Sequence, residues 1–195
     1  MYPKTYTIRD AWKWDSCATD TSAKYSVAEG TVNVSHSNDY LVLSSRNNSW
    51  NSVYPTGVTL DTSNDFLFEF DCLSQSGNAD NIHLGGLLGL TSNASSKLSF
   101  LGYKDMFLCF DYASNTEKYK TTSTHVSRNQ WYHYSIQSVN GTVTFVVKDS
   151  SNNTIVNGSF SLPSTYTTVY PCLVDYVTGG SNTVNYFKNI LIMPL

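Results

Sequence analysis

Short runs of β-branched and aromatic residues, broken at roughly ten-residue intervals by clusters of Asn, Gly, Ser and Asp, extend from one end of the chain to the other. No 3.6-residue apolar period is sustained anywhere, so helices are not expected. In the first half the runs are Thr31 to Ser35, Tyr40 to Ser44, Phe66 to Leu73, His83 to Leu90 and Lys97 to Tyr103. In the second half they are Met106 to Tyr112, Lys118 to Val126, Trp131 to Val139, Thr142 to Asp149, Thr154 to Leu162, Val169 to Val177 and Val184 to Met193. So many strands exceed what one sheet comfortably holds, which predicts two stacked antiparallel sheets.

Two connections are specific enough to fix local register. Val139-Asn140-Gly141-Thr142 places Asn-Gly between two strand runs, where a type I′ turn needs positive φ at both central positions. Asp149 to Asn153 is a longer polar tip, so Trp131 to Leu162 is expected to form a meander. Within Phe66-Leu67-Phe68-Glu69-Phe70-Asp71-Cys72, the two-residue period sends Phe66, Phe68, Phe70 and Cys72 to one face and Glu69 and Asp71 to the other. The first face is core. The second is either the outside of the sandwich or a ligand-binding face.

The chain has 195 residues and no Pro-rich or Gly/Ser-rich linker, which fits one domain spanning 1–195, with 1–24 as an N-terminal segment. In that segment Trp12 and Trp14 cap the sandwich end or dock to a partner. Hydrophobic residues make up 41% of the chain, enough to fill a core, while charged residues make up only 14%. The expected surface is therefore polar but weakly charged. A net charge of -3 with scattered Lys and Arg excludes the clustered basic face that binding to nucleic acid phosphates requires.

Cys17, Cys72, Cys109 and Cys172 are far apart and form no C-x-x-C pair. Cys72 and Cys109 lie inside apolar runs and are expected as small buried hydrophobes. The N-terminus lacks the basic and apolar run of a signal peptide, and no segment has the length of a membrane span. Membrane insertion is not expected. The expected location is a virion surface or, with an export signal supplied elsewhere, the extracellular space.

The run Trp131-Tyr132-His133-Tyr134-Ser135-Ile136, followed by Asn140-Gly141-Thr142-Val143-Thr144-Phe145-Val146-Val147, resembles the paired strands of concanavalin A-like, laminin-G-like domains. The Phe66 to Cys72 strand is similar to the one that opens the body of such jelly rolls, and Tyr186 to Ile192 to their last strand. The resemblance covers residues 25–193 in outline. It implies an all-β fold, a two-sheet antiparallel jelly-roll sandwich of the concanavalin A-like lectin/glucanase type. It specifies function weakly, because that sandwich carries lectins, adhesins, glycosidases and structural modules. Ile8 to Asp15 resembles the start of lectin-like proteins of tailed viruses, which implies a phage surface or tail component.

Glycosidases of the resembled type carry carboxylates on alternate residues of one strand, as E-x-D-x-E. Glu69 and Asp71 match two of those positions, but Leu73 stands at the third, so they are weak catalytic candidates and a solvated strand face explains them equally well. No G-x-S-x-G elbow is present, and the four histidines, His36, His83, His125 and His133, have no metal-binding spacing. Gly85-Gly86-Leu87-Leu88-Gly89 lacks the Lys of a phosphate loop and signals close backbone approach instead. Asn78, Asp80 and Asn81 offer oxygen ligands in a loop, a weak calcium candidate suggested by the lectin resemblance, with a polar turn as the plainer alternative.

Aromatic residues outside the core are the better functional signal, since sugars stack their C–H faces on Trp and Tyr while nearby polar groups bond the hydroxyls. Trp50 and Asn48 lie in a segment too polar for a strand, and Tyr54, Tyr103, Tyr112, Tyr170 and Tyr176 are candidates to join them, with His83, Asp111 or Asp175 as polar partners. The expected function is a carbohydrate-binding or adhesion module that contacts a cell-wall glycan. The alternatives are a structural or decoration protein packing against other subunits, and a glycoside hydrolase of the same fold.

Overall fold

The computed structural model describes residues 13–45, 50–75, 83–94, 96–103, 105–122, 126–176 and 183–195. The described strands are β1 (Lys13–Asp15), β2 (Tyr25–Glu29), β3 (Asn33–Ser37), β4 (Tyr40–Ser45), β5 (Ser52–Pro55), β6 (Leu60–Asp61), β7 (Phe66–Ser74) and β8 (His83–Gly89). They continue with β9 (Lys97–Tyr103), β10 (Phe107–Asp111), β11 (Thr116–Thr121), β12 (Tyr132–Val139), β13 (Thr142–Asp149), β14 (Thr154–Ser161), β15 (Thr168–Asp175) and β16 (Thr183–Pro194). One 3-10 turn, Ser22–Lys24, interrupts the pattern. Among the described residues no helix is long and apolar enough to cross a membrane.

The strands form two antiparallel sheets stacked as a jelly-roll sandwich. The first runs β14-β13-β12-β7-β16-β4-β3, with β1 added beside β16; the second runs β11-β10-β9-β8-β15-β5-β2, with β6 beside β15. The expected meander is present as β12, β13 and β14 in consecutive antiparallel pairs. Asn140 and Gly141 both have positive φ, 49° and 72°, as the type I′ hairpin demands. The strand expected over Lys118 to Val126 is instead Thr116–Thr121: Thr122 leaves the ladder, and Val126 is held outside it by donating its N–H to the Tyr103 carbonyl.

β7 alternates as expected, with Phe66, Phe68, Phe70, Cys72 and Ser74 buried and the intervening residues half-buried. Its apolar face joins an aromatic core to which both sheets contribute. Phe70 stacks on Tyr134 at 5.1 Å with 11° between planes, and Phe107 on Phe145 at 5.5 Å and 16°. Burying each such ring contributes roughly 2–3 kcal/mol from area alone. All four cysteines are free and buried.

The glycine run in β8 is a place of close approach. A Cβ on Gly85 would stand 2.0 Å from the Phe100 carbonyl oxygen, and one on Gly86 2.9 Å from the Phe70 ring. β8 is thereby drawn tightly against β9 on one side and the core on the other. Its remaining outward position, Leu87, contributes to the floor of the face described next.

Candidate functional site

The outer face of the second sheet is floored by small and aliphatic side chains. Leu87 of β8, Leu101 of β9, Cys172 and Val174 of β15 and Ala28 of β2 form, with Ala94, a buried cluster distinct from the main core. Trp50, Tyr54, Tyr103, Tyr170 and Tyr176 pack over it, half-buried. The two-residue period explains the spacing on β15, where Tyr170, Cys172 and Val174 point outward and Tyr176 follows one step beyond the strand.

Trp50 sits at the centre of the aromatic layer. It stacks on Tyr176 at 4.5 Å and 30° and meets Tyr112 edge-on at 5.4 Å. The Lys97 Nζ lies 4.3 Å from the Trp50 ring centroid and 5.6 Å from that of Tyr112, and pairs with Glu29. Tyr112 is 38% exposed and packs beside Phe110 at 4.7 Å. Further along the face, Tyr54 and Tyr170 form an edge-on pair at 5.4 Å.

Burial raises the pKa of the Tyr103 hydroxyl, and proximity to the Tyr112 and Tyr176 hydroxyls raises it further. Burial, Tyr176 and Glu29 act in the same direction on Tyr112. The Tyr103 and Tyr112 phenols therefore stay protonated, each able to donate and to accept a hydrogen bond. Burial likewise raises the Cys172 thiol pKa, leaving it an inert part of the floor.

Trp50 is held from behind. Asp175 N donates to the Asn51 carbonyl at 2.8 Å, Thr31 N donates to Asn51 Oδ1 at 3.0 Å, and Asn51 Nδ2 donates to Ser45 Oγ at 3.2 Å. Gly30 permits this: at φ 78° any Cβ there would lie 2.3 Å from both the Trp50 carbonyl and Asn51 Oδ1. Between the sheets, Thr183 Oγ1 and Asn185 Nδ2 donate to Asp175 Oδ1 at 2.6 and 3.0 Å. Burial pushes the Asp175 carboxyl up to about 6, with the hydrogen bonds from Thr183 and Ser45 working against the rise.

The candidates from sequence thus divide. Trp50, Tyr54, Tyr103, Tyr112, Tyr170 and Tyr176 share one face. His83 lies opposite Tyr103 in the β8–β9 register, though its side chain is outside the described residues, as are Asn48, Asn78, Asp80 and Asn81. Asp111 does not join the aromatic face. It points inward and is fully buried, accepting bonds from Tyr166 Oη at 2.7 Å and Ser114 Oγ at 2.6 Å, with Lys118 Nζ at 3.5 Å. Asp175 is also internal and serves the face only through its backbone. Sequence reasoning passed over Lys97, whose cation completes the Trp50 stack; its position on the outward phase of β9 was the available signal.

Glu69 and Asp71 lie on the outer face of the other sheet, where His133 joins them. His133 Nδ1 stands 2.8 Å from Asp71 Oδ1, and Nε2 3.8 Å from Glu69 Oε1. Burial raises both carboxyl pKa values, but bonds from His133, aided by Ser135 at Glu69 and Asn189 at Asp71, outweigh it and hold both below the usual range. Retaining glycosidase chemistry needs one carboxyl kept protonated as the acid, and neither of these is.

No family model matches this chain, and no curated protein does. Solved structures do match in fold. The carbohydrate-binding module CBM66 from Bacillus subtilis superposes with a TM-score of 0.61 at 13% identity, covering 87% of this chain and 95% of that one. Lectin II from Ulex europaeus gives 0.61 at 13%, covering 90% and 95%. The CBM2 module of the evolved Dit of Lactobacillus casei BL23 phage J-1 gives 0.55 at 12%, covering 93% and 96%. The chain therefore has the jelly-roll sandwich architecture seen in these binding modules and lectins.

Proposed function

We propose that this protein is a non-enzymatic carbohydrate-binding module whose ligand lies across the aromatic face of the second sheet. The observation that carries this reading is the cluster of Trp50 with Tyr103, Tyr112 and Tyr176, in which ring surfaces and phenol hydroxyls meet on one side of a rigid sheet. Flat apolar surface with a few placed hydroxyls is what the two chemically different faces of a pyranose need. From Tyr170 to Tyr176 the row spans roughly 20 Å by strand rise, which suits an extended oligosaccharide. The carbohydrate-binding module and lectin among the similar folds support the same reading.

The setting we assign to the module is adhesion, at the surface or tail of a virion that meets a cell-wall glycan. The fold likeness to a phage Dit module supports it. A self-packing decoration role has less support, because Val27 and Tyr112 are the only large apolar side chains exposed among the described residues, and a docking interface needs a larger patch.

A glycan array carrying neutral plant, fungal and bacterial wall polysaccharides, followed by isothermal titration of the hits, tests the function. Saturable binding that is lost in Trp50→Ala is expected. Absence of binding to every neutral glycan at millimolar ligand would overturn it.

A further inference from the structure

The outer face of the first sheet carries a row of ionisable residues that runs across four adjacent strands. Lys148 of β13 stands directly opposite His133 of β12, His133 opposite Asp71 of β7, and Asp71 opposite Lys188 of β16. The carboxylates here are already engaged. Asp71 accepts from His133 and, at 2.7 Å, from Asn189 Nδ2, which a positive φ of 51° at the β16 bulge brings into reach. Glu69 is committed to His133 and Ser135.

The cations are not so satisfied. Among the described residues neither Lys148 nor Lys188 has a carboxylate within ion-pair distance. Lys188 Nζ rests 4.3 Å from the Trp131 ring centroid and 5.6 Å from that of Tyr40. Asp71 and Glu69 raise the His133 pKa to about 9, so Lys148 faces an imidazolium across the strand pair at neutral pH. Like charges directly opposite each other are unfavourable in a sheet unless a counter-charge is supplied.

The row forms the floor of a cleft of about 380 Å³ lined by Trp131, His133, Asp71, Lys148, Lys188 and Asn152 among others. Asp149, at its rim, is occupied by the backbone N–H groups of Ser151 and Asn153 at 2.9 Å. Trp131 also walls a second cleft of about 270 Å³, shared with Tyr40, Tyr186 and Gln75. One tryptophan thus separates an uncharged hollow, lined by Ser37, Asn38 and Gln75, from one that carries Lys148 and Lys188. A single sugar ring fits the scale of either.

We propose that this cleft is a second saccharide site, separate from the aromatic face, that selects a sugar unit bearing an anionic substituent. Lys148 and Lys188 receive the anion. Trp131 stacks on the ring, and Asn152 and Gln75 take neutral hydroxyls on either side. The anion supplies the ion-pair partner that Lys148 and Lys188 lack. Asp71 and Glu69 keep His133 in place rather than contacting ligand.

The test is isothermal titration with galacturonate trisaccharide, 6-sulfated galactose trisaccharide and neutral galactotriose, each at low and moderate salt. At least one acidic sugar is expected to bind tenfold or more tighter than galactotriose, with the advantage shrinking at higher salt. Preference for galacturonate names a carboxylate as the group received, preference for the sulfated sugar a sulfate ester, and equal binding the charge alone. Lys148→Gln/Lys188→Gln is expected to remove the advantage while its thermal midpoint stays close to the parent's.

In the parent protein, the acidic sugar is expected to move the Trp131 indole N–H resonance, a readout that does not depend on the variant folding. Trp50→Ala is expected to keep acidic-sugar binding within twofold, which separates this site from the aromatic face. The proposal fails if neither acidic sugar outbinds galactotriose, if the double variant binds like the parent, or if binding follows Trp50 and leaves Trp131 unmoved.

Discussion

Trp50 and Tyr176 stack at 4.5 Å on the outside of the second sheet, while their chain neighbours Asn51 and Asp175 are joined by a 2.8 Å backbone hydrogen bond on the way to the interior. The stacked pair is therefore fixed by groups that are buried, Asn51 and Asp175. Pre-setting the rings in this way would remove part of the ordering cost of the proposed glycan binding.

Trp50→Ala should weaken glycan binding by about 2 kcal/mol, roughly thirtyfold in Kd, as truncation of a central aromatic anchor does. Tyr54→Ala, at the periphery of the face, should cost about 1 kcal/mol. Titration calorimetry on the best array hit measures both. Equal, negligible losses would move the ligand off this face.

Asp111→Ala should leave glycan affinity unchanged and destabilise the fold by about 3 kcal/mol, because the buried Tyr166 hydroxyl and Lys118 lose a charged partner. Chemical denaturation alongside calorimetry separates the two effects. A loss of affinity in fully folded protein would return Asp111 to the site.

Asp175 gives a pH dependence of opposite sign to an ordinary ion-paired carboxylate. Its folded pKa is raised to about 6, so the native state holds the proton more tightly than the unfolded chain. The resulting stabilisation is fully present below the ordinary aspartate value and is lost as pH rises through 6, by about 3 kcal/mol in all. Asp175→Asn cannot titrate. Urea denaturation should show the parent losing stability relative to this variant between pH 4 and 7, whereas parallel profiles would count against the assignment.

His133 offers a spectroscopic check on the other face. Its imidazole should titrate near 9 in the parent. In Asp71→Asn, which removes the largest cause of the rise, the value should fall toward the ordinary histidine range, and less so in Glu69→Gln. Folded pKa values raised in this way favour the native state at acidic and neutral pH and lose that effect as pH climbs through 9. NMR titration of the ring protons measures it directly, and an unchanged value in Asp71→Asn would remove the ion pair.

Much of the architecture was legible because strands announce themselves locally. The alternation in Phe66 to Cys72 and the Asn140-Gly141 turn depend on side-chain direction and backbone φ within a few residues, and both appear in the structure as expected. β2, β5 and β6 escaped notice because they are short and end at Pro55 or close to Gly30 and Gly57, and they are held at the edge of the second sheet by β15, β2 through β5. Within the N-terminal segment, Lys13 to Asp15 pair as β1 beside β16, a pairing separated by most of the chain, while Trp12 and the Trp14 side chain lie outside the described residues.

The sequence by itself determined the fold class, the aromatic supply and the apolar phase of each long strand, since periodicity and turn chemistry act over neighbouring residues. Only the tertiary structure decided which aromatics share a surface, because Trp50, Tyr112 and Tyr176 come from three separated segments aligned by sheet order. It also put Asp111 inside, and it set Lys148, His133, Asp71 and Lys188 in one row across four strands. Such relations arise from inter-strand register, which no local pattern encodes.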